Sequence, residues 1–117
     1  MKLGARMAKH KYISIDSFNM QIRVIVDDKE KKALIKEMDL PSHEILGMAI
    51  ETEGGGFILV LPKQWDESTV WHESHHMARF INAFHGIETT YNDHEADAYL
   101  MEYIVKQLKR SVYKIKT

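Results

Sequence analysis

Residues 72–76 read His-Glu-Ser-His-His, so His72, Glu73 and His76 stand in the order His-Glu-x-x-His. On an α-helix, residues four apart project from one face, one turn above the other. His72 and His76 can therefore offer imidazole nitrogens to a single ion from one rigid element. Histidine suits zinc, whose tetrahedral site accepts such a pair together with an oxygen ligand and a water. Glu73 follows on the next residue, its carboxylate free to take a proton from that water. The implied chemistry is peptide hydrolysis, in which metal and base turn water into a nucleophile at neutral pH.

Two histidines hold zinc weakly, so a third group is needed. The position six residues past His76 is Asn82 rather than a histidine, and Arg79 stands where the metzincin pattern requires glycine, so that subclass is excluded. Carboxylates and a histidine recur in "YNDHEADAYLMEYIV", as Asp93, His94, Glu95 and Asp97. Eighteen residues separate His76 from Glu95, enough for a turn at "FHGIETTY" to bring a second helix back beside the first. That spacing fits a gluzincin, where a glutamate from a following helix completes the site. In this helix Ala96, Leu100, Ile104 and Leu108 mark the buried stripe. Asp93 and Asp97 fall on it, whereas Glu95 lies nearer the solvated side with Glu102 and Lys106. Helical phase thus favours Asp93 as ligand, with Asp97 behind it orienting a histidine. Phase is least regular in a first turn, and a carboxylate there also satisfies free N–H groups. Glu95 and Asp93 both stay open.

The elements that must carry these residues follow from periodicity. "YISID" and "NMQIRVIVDD" form the opening strand region, with Met20, Ile22, Val24 and Val26 alternating toward a core. "DDKEKKALIKEMDL" is a helix capped by Asp27 or Asp28, striped by Ala33, Leu34, Ile35 and Met38, and stopped by Pro41. "ILGMAIETEGGGFILVLP" gives two strands around the turn Gly54-Gly55-Gly56. The motif helix starts at a cap, Asp66 or Ser68, and closes at Gly86. A last helix runs from about Asp93 to Tyr113. The order strand, helix, two strands, helix, helix makes an α+β fold: a small, mostly antiparallel sheet packed on two zincin-like C-terminal helices. In the motif helix Val70, Met77, Phe80, Ile81 and Phe84 define the apolar face, with Glu73 inside it and His72 and His76 along its flank. A carboxylate so placed needs a partner or a task. His75 points away as a bystander.

Composition bounds the rest. At 117 residues, 44% hydrophobic and 28% charged, the chain suits a single domain spanning residues 1–117. A formal net charge of −1 provides no broad positive field, which argues against nucleic acid as the main partner. The basic residues at both ends read as solvated termini. With no cysteine, disulfides and thiolate sites are excluded, and any metal must be held by His, Asp or Glu. Neither a signal-peptide core nor a membrane-spanning stretch is present, so a cytoplasmic location without membrane contact is expected.

The segment from "WHESHH" through "FHGIETTYNDHEADAYLMEYIV" resembles small phage and prophage proteins carrying His-Glu-x-x-His, then a Gly-Ile-Glu-like turn, Glu-x-x-Ala-Tyr and an apolar helix. More distantly it is similar to the gluzincin peptidases that cleave phage immunity repressors, which share the preceding strand, here "GFILVLP". The resemblance covers roughly residues 56 to 108. It implies that His72, His76 and Glu95 bind zinc and that Glu73 is the general base. His75 stands where that family has a small or apolar residue, and Tyr99 where the repressor peptidases have Asn or Asp.

The expected function is a zinc metallopeptidase-like protein of phage or prophage type acting on a protein or peptide. An alternative is a catalytically silent zinc-holding protein that occupies a host partner; a zinc hydrolase of small molecules is a third. Peptidases of this kind add substrate as a strand along a sheet edge, a role open to "GFILVLP" beside that of core strand. Tyr91, Tyr99 and Tyr103 are candidates for an oxyanion hydrogen bond. Trp65 and Trp71 read as anchors at the helix start, His85 and His94 as minor metal candidates, and His10 and His43 as surface residues.

Overall fold

A computed structural model describes residues 11–40, 46–87 and 95–115. β1 (Lys11–Ile15) and β2 (Met20–Ile25) pair antiparallel, Ile15 opposite Met20. A 3-10 turn over Asp16–Phe18 joins them, with Asn19 in the left-handed region at φ 51°. The opening strand region is therefore a hairpin. Ile13, Ile15, Ile22 and Val24 all join one cluster, so both strands turn their apolar residues to the same face of the sheet.

α1 (Asp28–Glu37) starts where the Asp27 carboxylate accepts from the N–H groups of Lys29 and Glu30. That satisfies donors the helix cannot use itself. Only Leu34 of its predicted stripe is buried, while Ala33 and Met38 are exposed. The helix covers just a small patch, Ile25, Ile50 and Val60, too small to engage a full stripe. It ends before Pro41, which lies outside the described residues.

β3 (Met48–Glu51) and β4 (Phe57–Val60) form the second hairpin. The sheet order is β1-β2-β4-β3, and β2 runs parallel to β4, Val24 opposite Leu59. The fold class is α+β, with a mixed sheet: two antiparallel pairs flank one parallel pair. The parallel pair arises because α1 and β3 lie between β2 and β4 in the chain, which allows β4 to return in the same direction.

α2 (Glu67–Phe84) and α3 (Glu95–Gln107) pack on the other face of the sheet and against each other. Ile15, Ile22, Leu59, Met77, Ile81, Ile104 and Leu108 are almost fully enclosed between these layers. Each such side chain contributes about 1.5–3 kcal/mol by leaving water. α3 does not continue regularly to Tyr113. It widens into a π-helical turn, Leu108–Val112, in which the Tyr113 N–H reaches the Leu108 carbonyl at 3.0 Å. The Tyr113 hydroxyl donates to the Pro62 carbonyl, and its ring meets Trp65 edge-on at 5.3 Å. The C-terminal turn is thereby fastened to the chain entering α2. Burial and then the Asp66 charge push the Tyr113 hydroxyl up to about 12. Among the described residues no helix is long and apolar enough to cross a membrane.

Candidate metal centre

α2 begins at Asp66, whose carboxylate accepts from the Thr69 N–H at 3.4 Å. It ends at His85, followed by Gly86 at φ 77°, a conformation glycine adopts without a Cβ penalty. Trp65 and Trp71 are partly buried against the core at its start, as anchors should be, and the Lys109 ammonium lies over the Trp65 ring.

The helix is turned further into the fold than the apolar residues alone indicate. Val70, Ser74, Met77, Ala78, Ile81 and Asn82 are buried, while Phe80 is half-buried and Phe84 exposed. The reason is α3, which covers the Ala78 and Asn82 side that a hydrophobicity pattern scores as neutral or polar. With His72 at zero and about 100° per residue, the buried residues span roughly 140–280°, centred near 200°. On the same wheel His76 falls at about 40°, Arg79 at about −20° and Glu73 at about 100°. The histidines are accordingly exposed and Glu73 is half-buried at the edge of the core. His75 is exposed too.

The Nε2 atoms of His72 and His76 converge to 3.2 Å, with the rings nearly perpendicular at 79°. Two nitrogens bound to one tetrahedral zinc at about 2.05 Å are separated by about 3.3 Å. The pair therefore has the bite such an ion requires. Without metal, the same separation serves a hydrogen bond in which one ring donates Nε2–H and the other accepts.

Glu73 is placed by a residue the motif does not contain. A Cβ built on Gly47 would stand 2.8 Å from Thr69 Cγ2, 2.9 Å from Glu73 Cγ and 3.3 Å from Glu73 Oε2. Gly47 immediately precedes β3, so the backbone entering this edge strand lies directly on the glutamate. Among the described residues, no hydrogen bond or ion pair engages the Glu73 carboxylate. The neighbouring Ser74 hydroxyl is fully buried and likewise has no partner among them. β4, expected as a possible substrate strand, lies between β2 and β3. Both its edges are taken, and among the described residues the edge strand on this side is β3.

On the far side of the histidines stands a buried polar cluster. Asp97 of α3 is 5% exposed and Asn82 of α2 is 2% exposed. The Asn82 amide donates to Asp97 Oδ1 at 2.6 Å, and Arg79 lies 3.7 Å from Oδ2. Asp97 is thus on the buried stripe, as phase predicts, and through Asn82 and Arg79 it ties α2 to α3. Hydrophobic patterning passes over this contact because both partners are polar.

Glu95 opens α3 and is exposed, about 200° around the helix from Asp97. Among the described residues, no group of three or more His, Asp or Glu could hold a metal. Asp93 and His94 lie outside the described residues, as do Tyr91, His10 and His43. Tyr99 and Tyr103 line a cleft of about 410 Å³ beside Phe18 and Asn82. His85 stacks on Phe18 at 4.1 Å, and its Nδ1 lies 2.9 Å from the Ile81 carbonyl. It is occupied in closing the helix.

No family model matches this chain, and neither curated proteins nor solved structures provide a match.

Proposed function

We propose that the chain is a zinc-dependent metallopeptidase-like protein in which His72 and His76 hold the metal and Glu73 is the general base. The observation that carries this reading is the 3.2 Å convergence of the two Nε2 atoms beside a half-buried carboxylate. Glu95 is the third ligand that the phage-type resemblance implies, and Asp93 is its rival. Zinc bound there would supply Lewis acidity, which acidifies water and offsets negative charge developing on a carbonyl oxygen.

The remaining chemistry belongs to the protein. Glu73 Oε2, turned toward the start of β3, accepts a proton from attacking water and returns it to the leaving amine. The open edge of β3 offers backbone N–H and C=O groups to an extended peptide, which would run past Glu73 where Gly47 removes the obstruction of a side chain. A substrate that pairs with backbone is a protein or peptide.

A second reading is favoured by one observation: no third ligand stands with the histidines among the described residues. The chain would then be a silent zinc-holding protein that occupies a host partner. Elemental analysis and digestion of a complex peptide mixture separate the two. The peptidase reading expects near-stoichiometric zinc, lost in His76→Ala, and cleavage products that vanish in Glu73→Gln while zinc is kept. Zinc without any cleavage favours the binder. A folded wild type that takes up no zinc when supplied with it overturns both.

A further inference from the structure

We infer that the edge strand β3 selects an extended peptide with one apolar side chain next to a basic one, the apolar side chain seated on Phe80 and Phe84. The inference rests on the reading of β3 as the strand to which a peptide adds, and not on the metal. Phe84 is the last residue of α2 and is 55% exposed. Its ring is nonetheless held from behind: it meets Phe57 edge-on at 5.6 Å, and a Cβ built on Gly55 would stand 3.2 Å from its Cζ. An exposed ring so backed is a platform. Phe80, one turn earlier, is half-buried and stacks on His76 at 6.4 Å. On the wheel with His72 at zero, Phe80 falls at about 80° and Phe84 at about 120°, on either side of Glu73 at about 100°. The two rings and the carboxylate therefore share one strip of α2.

The β3–β4 hairpin lies along this strip. Gly47 stands against Glu73 and Gly55 against Phe84, so a peptide paired with β3 follows α2 between the glutamate and the rings. At about 1.5 Å per helical residue, Phe80 is about 10.5 Å and Phe84 about 16.5 Å beyond Glu73. An extended peptide advances about 3.4 Å per residue and turns every second side chain to one face. The fourth residue from the one at Glu73 thus arrives at about 13.6 Å, over the gap between the rings. Charge sets its neighbour. Glu51 opposes Phe57 in the antiparallel register, and directly opposite residues point to one face. Its carboxylate therefore stands on the side of the sheet where Phe57 meets Phe84. Glu51 is exposed, and among the described residues no ion pair engages it. With Glu73 at the other end, the strip carries two carboxylates, which favour lysine or arginine in the peptide and disfavour acids.

The test is fluorescence anisotropy of short labelled peptides with the metal-free protein, so that neither zinc nor cleavage enters. The host peptide is threonine-rich, with a lysine on each side of one central leucine. Its relatives replace the leucine with serine, replace the lysines with glutamate, or methylate the backbone nitrogens. The leucine peptide should bind about fivefold or more tightly than the serine peptide, as partial burial of one leucine side chain provides. The glutamate and N-methylated peptides should bind more weakly than the host. Phe84→Ala should erase the preference for leucine; the ring is exposed, so its loss spares the core. Phe84→Leu, which keeps an apolar platform, should retain the preference, and Glu51→Gln should narrow the gap between the lysine and glutamate peptides.

Equal affinity for the leucine and serine peptides, a preference that survives Phe84→Ala, or no binding of any peptide would overturn the inference. Undiminished binding of the N-methylated peptide would overturn it too, because the contact would then lie away from the β3 edge. Digestion in the presence of zinc judges the peptidase reading separately. Leucine-selective binding without cleavage leaves this inference standing and removes the peptidase, whereas cleavage without any apolar preference does the reverse.

Discussion

Gly47 touches Glu73 through the side chain it does not have. The 2.9 Å that would separate a Gly47 Cβ from Glu73 Cγ is closer than packed carbon atoms come, so the glycine is what allows the edge strand to lie on the glutamate. This contact joins the strand beside the motif helix to the residue proposed as base. Neither the helical wheel nor the strand pattern identifies it.

Gly47→Ala should destabilise the fold by about 1–3 kcal/mol, the usual result of overfilling a packed contact. The opposing gain from a stiffer unfolded chain is only about 0.4–1 kcal/mol. Urea unfolding of wild type, Gly47→Ala, Glu73→Ala and the double variant measures the coupling. The double variant should lose less than the sum of the single ones by at least about 0.5 kcal/mol. An unchanged or raised midpoint in Gly47→Ala would mean that Glu73 swings aside freely and that Gly47 does not set its position.

Asn82→Leu keeps most of the side-chain volume but takes the amide away from Asp97. A buried carboxylate deprived of one of its partners should lower stability by about 2–3 kcal/mol, tempered by the remaining Arg79. The midpoint of urea unfolding should fall with its slope unchanged. A loss under about 0.5 kcal/mol, the range of ordinary surface substitutions, would show that the other contacts of the carboxylate, Arg79 among them, satisfy it.

The parts of the fold legible in the sequence are those written in apolar period and capping chemistry. Asp27 and Asp66 cap where they should, Gly86 closes α2, and the glycine turn separates β3 from β4. The hairpin at Asn19 was hidden because its turn, Asp16 to Asn19, contains neither glycine nor proline. The rotation of α2 was hidden for a different reason. Ser74, Ala78 and Asn82 are buried, Asn82 against Asp97 of α3, and small or polar residues buried in this way leave no hydrophobic signal. At the site, the spacing of His72 and His76 foretold their convergence, since helix geometry alone dictates it. Gly47 and the Asn82–Asp97 bond depend on contacts between distant segments, which no local pattern records.

Tyr113 makes stability sensitive to alkaline pH. Its hydroxyl is raised from 10.0 to about 12 by burial and by the Asp66 charge, so between those values the folded form holds a proton that the unfolded form releases. The stabilisation is fully present below pH 10 and disappears as pH climbs through about 12. Tyr113→Phe should flatten this alkaline fall while lowering stability near neutrality by about 1 kcal/mol, through the lost bond to the Pro62 carbonyl. Unfolding midpoints across pH 8 to pH 12 provide the comparison; parallel curves for the two proteins would show that another group carries the alkaline loss.

The histidine pair makes opposite demands on the protein with and without metal. If zinc joins His72 to His76, zinc at a hundredfold its dissociation constant should raise the unfolding free energy by about 2.7 kcal/mol. That gain should vanish in His72→Ala and in His76→Ala alike, because each leaves a single imidazole on the face. If the pair is only a hydrogen bond between exposed rings, each variant should change stability by a few tenths of a kcal/mol, and zinc should shift none of the three proteins. Thermal unfolding with and without zinc separates these cases directly. Stabilisation surviving in one alanine variant would place the metal elsewhere, on groups that do not require both histidines.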